Sequence, residues 1–316
     1  MTNKQEDIFR MPDNKIKLFE QGAPGSQGLK ITRKYYTETL PDGKVKHIVQ
    51  HITDPDIVPY IPEAAGNNTE KKKIPAVLII PGGAFRRLVY NFEGEDVAKW
   101  LNSMGIAAFV LECRLPLDGY DNAEDVPLID AMRAMRVIRG RAQEFGIDES
   151  KIGVMGFSAG GFMAALLSTA YESDVYADYK YKDEYDELSA RPDFAVCSYP
   201  VISIDDCIEA GKRYMSEEQV LERISDGKAK ILRKYNPDKL VRPDMPPVFI
   251  CETDDDRTTL SENSVGFYMA ARKAGVSAEL HIFRTGGHGY GCGDDAAQTG
   301  EWKVLFAKWL KSLGIC

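Results

Sequence analysis

Residues 151–167 read KIGVMGFSAGGFMAALL. A short apolar run, Lys151–Phe157, leads into Ser158, and a longer apolar stretch without a breaker follows. The first part has the make-up of a buried strand, the second that of a buried helix. At the junction stands Gly156-Phe157-Ser158-Ala159-Gly160. A strand that turns abruptly into a helix crowds its own backbone, and glycines two before and two after the corner residue relieve that crowding. A serine at such a corner has its hydroxyl held out beside a helix N-terminus, so Ser158 is a candidate nucleophile.

The same rhythm extends on both sides. Strand candidates are IPAVLII (74–80), IAAFVLE (106–112), KIGVMGF (151–157), DFAVCSY (193–199), PPVFICE (246–252) and AELHIF (278–283). Helical patterns fill the intervals at Glu95–Met104, Pro127–Glu144, Ala159–Ala170, Ser261–Ala274 and Gln298–Leu313. Near-continuous apolar strands separated by helices predict an α/β fold, with a mostly parallel central sheet covered by helices on both faces. Ahead of it, LKITRKYYTETL and VKHIVQHIT flank Pro41-Asp42-Gly43 and predict an antiparallel hairpin. Residues 1–28 read as a loose lead-in to a single domain spanning 1–316. Two stretches interrupt the alternation, 171–190 and 202–245, and are candidate cap insertions.

Composition narrows the function. The chain has 316 residues and a net charge of −8, which argues against a nucleic-acid partner. The run Glu70-Lys71-Lys72-Lys73 is too short to reverse that and reads as a solvated loop before a strand. None of the six cysteines forms a CxxC pair, and Cys113, Cys197 and Cys251 sit in strand-like runs as buried, reduced thiols. No metal site is expected. No apolar run is long enough to span a membrane. The N-terminus lacks an apolar leader segment, pointing to the cytoplasm, or to secretion if a leader has been removed.

A serine nucleophile needs a base, and the chain offers four histidines. His47 and His51 lie in the hairpin region and His281 inside a strand. His288 lies in RTGGHGYGCG directly after the last strand, where glycines can aim an imidazole. The orienting carboxylate comes from the loop Thr253-Asp254-Asp255-Asp256-Arg257, which also follows a strand. The order Ser158, Asp, His288 is the one the α/β-hydrolase fold requires. Oxyanion donors are expected from the backbone of Ala159 and from the Gly82-Gly83 pair after Ile80.

These segments resemble the bacterial α/β-hydrolase esterases that include acetylxylan and feruloyl esterases, relatives of the hormone-sensitive-lipase group. The resemblance runs from about Ile74 to the C-terminus. It rests on PGGAF, EGEDVAKWLNSMGIAAFVLECRLP, DAMRAMRVIRGRAQEFGID, KIGVMGFSAGGFMAALL, RPDFAVCSYPVIS, DDDRTTLSENSVGFYMAARKAGVSAELHIF and GGHGYG. It implies Asp256 as the triad acid, ahead of Glu262-Asn263-Ser264, with Asp255 as runner-up. It implies a cofactor-free, two-step hydrolysis of short acyl esters, acetylated xylan fragments foremost. The substrate is then a small-molecule or oligosaccharide ester. Feruloyl or aryl esters are the alternative, followed by peptidase or arylformamidase chemistry, and last a hydrolase-fold binding protein without activity. Ala84 stands where relatives carry a third glycine, and Thr258-Thr259-Leu260 where they carry Val-Val-Pro. Ala84, Phe85, Tyr90 and Phe92 are candidate substrate contacts, together with the tyrosines of 171–185. Glu93 and Arg114 are a candidate pair beneath the site. The N-terminal strands are a candidate homodimer surface.

Overall fold

The computed structural model describes residues 9–63, 73–213, 215–216, 218–220 and 226–316. The described strands are β1 (Ile16–Lys17), β2 (Lys34–Thr39), β3 (Val45–Gln50), β4 (Asp56–Tyr60), β5 (Ile74–Ile80), β6 (Leu88–Val89), β7 (Ala107–Glu112), β8 (Ile147–Phe157), β9 (Ala195–Ser198), β10 (Val248–Thr253) and β11 (Ala278–Phe283). The described helices are α1 (Asp96–Ser103), α2 (Val126–Gly140), α3 (Ala159–Ala170), α4 (Ile204–Gly211), α5 (Asp226–Lys234), α6 (Ser261–Lys273) and α7 (Glu301–Ser312).

Eight strands form one sheet in the order β1-β4-β7-β5-β8-β9-β10-β11. Every neighbouring pair from β7 to β11 is parallel, and β4 and β1 close one edge antiparallel. The predicted apolar runs explain this. β7, β9 and β10 are buried along their whole length, as strands covered on both faces must be. Trp100 of α1 meets Trp302 of α7 at 4.9 Å between ring centroids. Phe249 of β10 packs edge-on against Phe306 of α7 at 5.9 Å. α2 and α3 pack on each other, and α3 lies along β8 and β9.

The strand order reverses beside β8. After β5 the chain crosses to β7 on one side, and after β8 it steps through β9, β10 and β11 on the other. A crevice opens at such a reversal, outside the carboxyl ends of the strands, because the following loops diverge there. Ser158 follows β8 and the Pro81–Phe85 loop follows β5, so both stand at that crevice.

The predicted hairpin is β2 and β3, paired from Lys34↔Gln50 to Thr39↔Val45. It does not join the main sheet. It forms a second, three-stranded sheet in which β3 takes β6 as its other neighbour, with Ile48↔Val89 and Val49↔Leu88. β6 continues directly from the Pro81–Phe85 loop.

Two expectations are corrected. The segment before Gly28 is not loose over its described length. β1 pairs with β4, and Leu18, Phe19 and Ala23 are buried. Lys15 anchors it, 2.7 Å from one carboxylate oxygen of Glu112, while Arg33 just beyond it holds the other oxygen at 2.7 Å and Asp56 at 2.5 Å. The stretch 171–190 is not a cap over Ser158. Its contacts run to α2, where Arg133 binds Asp183 at 2.7 Å and Asp186 at 3.0 Å. Tyr179 meets Phe19 at 5.5 Å and Tyr176 bonds Arg136, so these tyrosines serve packing. The described part of 202–245 does border the carboxyl ends of the strands. Asn263 Oδ1 accepts from the N–H groups of Ile202 and Ser203 at 2.9 and 3.1 Å, and α5 lies against Pro116–Asp118 after β7. Of the basic run, residues 70–72 lie outside the described residues.

Candidate active site

Ser158 has φ +55° and ψ −116°, an uncommon conformation for a residue with a side chain. Such a conformation costs on the order of 1–3 kcal/mol and persists only where the surroundings impose it. Here they do. A Cβ at Gly156 would fall 1.9 Å from the Gly160 carbonyl oxygen, and one at Gly160 would fall 2.0 Å from that of Ile80. Only glycines permit this closeness. The Ser158 N–H donates to the Ser198 carbonyl at 3.0 Å, which ties the corner to β9.

Ser158 Oγ lies 2.8 Å from His288 Nε2. His288 Nδ1 lies 2.6 Å from Asp256 Oδ2. The other oxygen of Asp256 accepts the N–H groups of Thr258 and Thr259 at 2.7 and 3.0 Å. Asp256 is 1% exposed, so its carboxylate is fixed by protein groups rather than by water. Asp255 takes a different part. It is exposed, and its Oδ1 accepts from Gly286 and Gly287 N–H at 2.9 and 2.8 Å. The Gly287 amide, with smaller contributions from its neighbours, holds this carboxyl below the usual carboxylate range. Asp255 thus tethers the loop that carries His288, whereas Asp256 meets the imidazole itself.

Thr259, one of the residues standing in place of Val-Val-Pro, is buried against this pair. Its Oγ1 is 3.0 Å from both Asp256 Oδ2 and the Tyr199 carbonyl, and 3.1 Å from His288 Nδ1. Behind Asp256 sits Glu252, wholly buried, accepting from Thr253 N–H at 2.9 Å and from the Ser264 hydroxyl at 3.2 Å. Burial, reinforced by the neighbouring Asp256, raises its carboxyl well above the ordinary range.

Opposite the serine, the Pro81–Phe85 loop is drawn close. A Cβ on Gly82 would lie 2.9 Å from Ser158 Cβ. The expectation that Gly82 is an oxyanion donor is corrected, because its N–H donates to Glu93 Oε2 at 2.8 Å. The N–H groups of Gly83, Ala84 and Ala159 have no hydrogen-bond partner among the described residues. Ala84 is exposed at the loop tip with φ +60°. Phe85 is buried, edge-on to Phe162 at 5.6 Å. Phe85 and Met163 line a cavity of about 10 Å³, room for about one water. Leu115, Ala159 and the Gly82-Gly83 pair are also among the residues that wall it.

The remaining candidates are placed otherwise. Tyr90 is 1% exposed, its hydroxyl 3.0 Å from that of Tyr60, so it is a core residue and not a cleft wall. Phe92 is partly buried, and its carbonyl oxygen is 2.5 Å from where a Cβ on Gly291 would stand, so it packs against the histidine loop. Glu93 and Arg114 do not pair: Arg114 is fully buried on Asp130 at 2.7 Å. His281 binds Glu279 at 2.8 Å on the edge strand, and His51 lies 3.0 Å from Asp118. Among the described residues, no three His, Cys, Asp or Glu side chains are grouped to hold a metal. Cys113, Cys197 and Cys251 are buried and free.

Tyr199 is the residue that sequence reasoning missed. It follows β9 with φ +38°, is wholly buried, and its ring lies 5.0 Å from that of His288. Its hydroxyl donates to Glu93 Oε1 at 2.9 Å and accepts from Gly291 N–H at 3.0 Å. In DFAVCSY it reads as one more apolar strand residue, and no local pattern distinguishes it.

Known proteins carry the same framework. An acetylxylan esterase of Xylanibacter ruminicola is 30% identical over 240 residues, 75% of this chain and 45% of that protein. Endo-1,4-beta-xylanase B of Butyrivibrio fibrisolvens is 31% identical over 69% of this chain and 33% of its own length. The chain thus spans less than half the length of these relatives. The crystal structure of an acetyl ester-xyloside bifunctional hydrolase from Caldicellulosiruptor lactoaceticus superposes with a TM-score of 0.68 at 36% identity, covering 84% of this chain and 90% of that one. The carboxylesterase Cest-2923 from Lactobacillus plantarum WCFS1 is 21% identical, with a TM-score of 0.65 over 90% of this chain and 98% of its own, and shares the α/β-hydrolase fold. The BD-FAE family model matches residues 63–270, which take in β5, the corner at Ser158 and Asp256, and the chain belongs to that family.

Proposed function

We propose that the protein is a serine carboxylesterase acting through Ser158, His288 and Asp256. The observation that carries this reading is the unbroken hydrogen-bonded line, with 2.8 Å from Ser158 Oγ to His288 Nε2 and 2.6 Å from His288 Nδ1 to Asp256. His288 Nε2 takes the hydroxyl proton as Oγ bonds to the ester carbonyl carbon, and the carbonyl electron pair moves onto oxygen. The N–H groups of Gly83 and Ala159 receive that oxyanion, each worth about 3 kcal/mol of barrier. Collapse of the intermediate expels the alcohol, which takes the proton from His288. Water then repeats the sequence, releases the acid and restores Ser158. No bound metal or organic cofactor enters these steps.

The acyl group is small in this reading. The cavity beside the donor loop, walled by Phe85, Met163 and Leu115, has about one water's volume. An acetyl methyl is of that order. The similarity to a named acetylxylan esterase and to an acetyl ester-xyloside hydrolase favours acetylated xylan fragments as the alcohol side. The test is acetate release from acetylated xylo-oligosaccharides beside hydrolysis of p-nitrophenyl acetate, butyrate and octanoate, with Ser158→Ala as control. Acetate release abolished by the substitution is the expected result. Hydrolysis of the aryl esters without acetate release would retain the serine and overturn the carbohydrate assignment. Equal rates for wild type and variant would overturn the serine.

A further inference from the structure

Glu93 is a buried carboxylate with no ion pair among the described residues. Its two oxygens accept from two donors, Gly82 N–H at 2.8 Å and the Tyr199 hydroxyl at 2.9 Å. The Tyr199 hydroxyl in turn accepts from Gly291 N–H at 3.0 Å. One carboxylate therefore connects three segments that the chain keeps far apart: the donor loop after β5, the turn after β9, and the glycine-rich loop carrying His288. A Cβ on Gly289, next to His288, would stand 4.0 Å from Glu93 Oε1. Two accepted bonds and none donated match the ionised form, although burial raises this carboxyl.

Leaving a charge buried without a partner is costly, and buried carboxylates are ordinarily paired. The groups facing Glu93 are Tyr199, Lys46 of β3 and His288, and of these His288 has the strongest favourable charge interaction with it. His288 also faces Asp256 on its other nitrogen, and behind Asp256 stands Glu252, whose carboxyl is raised by burial and by Asp256. When Ser158 gives up its proton, an imidazolium forms within the field of two carboxylates.

We propose that Glu93 is a positioning residue of this site: it holds the donor loop and, through Tyr199, the histidine loop in register, and it provides a second negative charge facing the imidazolium that forms on His288. The proposal rests on the serine-esterase reading, and its test separates the two. Wild type, Glu93→Gln and Tyr199→Phe are compared by the rate of Ser158 labelling with a fluorophosphonate from pH 5 to 9, with circular dichroism to verify folding. Glu93→Gln keeps an acceptor for Gly82 N–H and removes the charge. Its plateau rate is expected to fall about tenfold and its acid limb to move about one unit to lower pH. Tyr199→Phe breaks the link to Gly291 and keeps the charge, so its plateau falls while its limb stays. A Glu93→Gln limb that does not move, or a Tyr199→Phe rate equal to wild type, overturns the proposal.

An independent readout needs no chemistry. The imidazole NMR signal of His288, assigned by its loss in His288→Gln, should titrate about one unit lower in Glu93→Gln than in wild type. Absence of that displacement overturns the role of the charge even if Ser158 proves unreactive. Unlabelled Ser158 with a displaced signal would instead overturn the esterase reading alone.

Discussion

Two adjacent aspartates invite opposite expectations, and their substitution by asparagine separates them. Asp256→Asn preserves size and can still accept from Thr258 and Thr259 N–H through its carbonyl oxygen. With that oxygen so engaged, the amide NH2 faces His288 Nδ1, where Oδ2 now lies at 2.6 Å. Two donors cannot share that contact, so Nδ1 must become the acceptor and the ring proton moves to Nε2. Nε2 then carries a hydrogen toward Ser158 Oγ and has no lone pair for the serine proton. The loss expected for such a tautomer inversion is about 10⁴ in kcat, or about 5 kcal/mol of barrier. Asp255→Asn keeps the Oδ1 acceptor for Gly286 and Gly287, so its rate should stay within about threefold of wild type, an effect under about 1 kcal/mol. Initial rates on p-nitrophenyl acetate at saturating substrate, beside melting curves to establish folding, provide the comparison. Asp256→Asn within tenfold of wild type, or Asp255→Asn the more damaged of the two, would refute the assignment of the triad acid.

Three further outcomes are expected. Ser158→Gly removes the Cβ from a residue at φ +55° and should raise the unfolding free energy by about 1 kcal/mol while abolishing turnover, measured by urea titration; Ser158→Ala should abolish turnover without that gain. Glu252 has a folded-state proton affinity raised above its unfolded one, so its favourable contribution is complete below the ordinary carboxylate range and is lost as pH rises above it; wild type should lose stability relative to Glu252→Gln as pH is raised from about 4 upward, and parallel urea midpoints would contradict this. Met163→Ala enlarges the cavity beside Phe85 and should raise the butyrate-to-acetate rate ratio about tenfold, at a stability cost of about 2–3 kcal/mol; an unchanged ratio would place the acyl group elsewhere.

The sheet was legible where it is buried on both faces. β5 coincides with IPAVLII and α3 with Ala159–Ala170, because an apolar run between breakers has one economical solution there; β11, at the partly buried edge, coincides with AELHIF through its alternation between breakers. β8 starts earlier than KIGVMGF, taking in Ile147 and the polar Asp148–Ser150. β1 and β4 went unrecognised. Each is short, β4 contains Pro59, and both lie at an edge held by ion pairs between segments far apart in the chain, Lys15 and Arg33 on Glu112. Ser158 and His288 were legible because motif and glycine context are local. Tyr199 and Thr259 were not, since their importance comes from contacts across the chain: Thr259 reaches the Tyr199 carbonyl 60 positions away. Gly82 was misread for the same reason, as nothing near PGGAF tells that Glu93 will take its N–H.

In the proposed reaction the second sheet matters without touching Ser158, His288 or Asp256. β3 pairs with β6, so the donor loop is fastened at its start by β5 and just past its end by the hairpin. A loop anchored at both ends has little left to reorganise when charge develops on a substrate oxygen, and such preorganisation is where electrostatic rate enhancement arises. The hairpin is therefore a gauge that sets the loop's length and pitch. A one-residue slip of β3 against β6 would turn Leu88 and Val89 to the wrong faces and drag Gly83 with them. Lesions in Lys34–Gln50 should then register as lost turnover with the triad untouched.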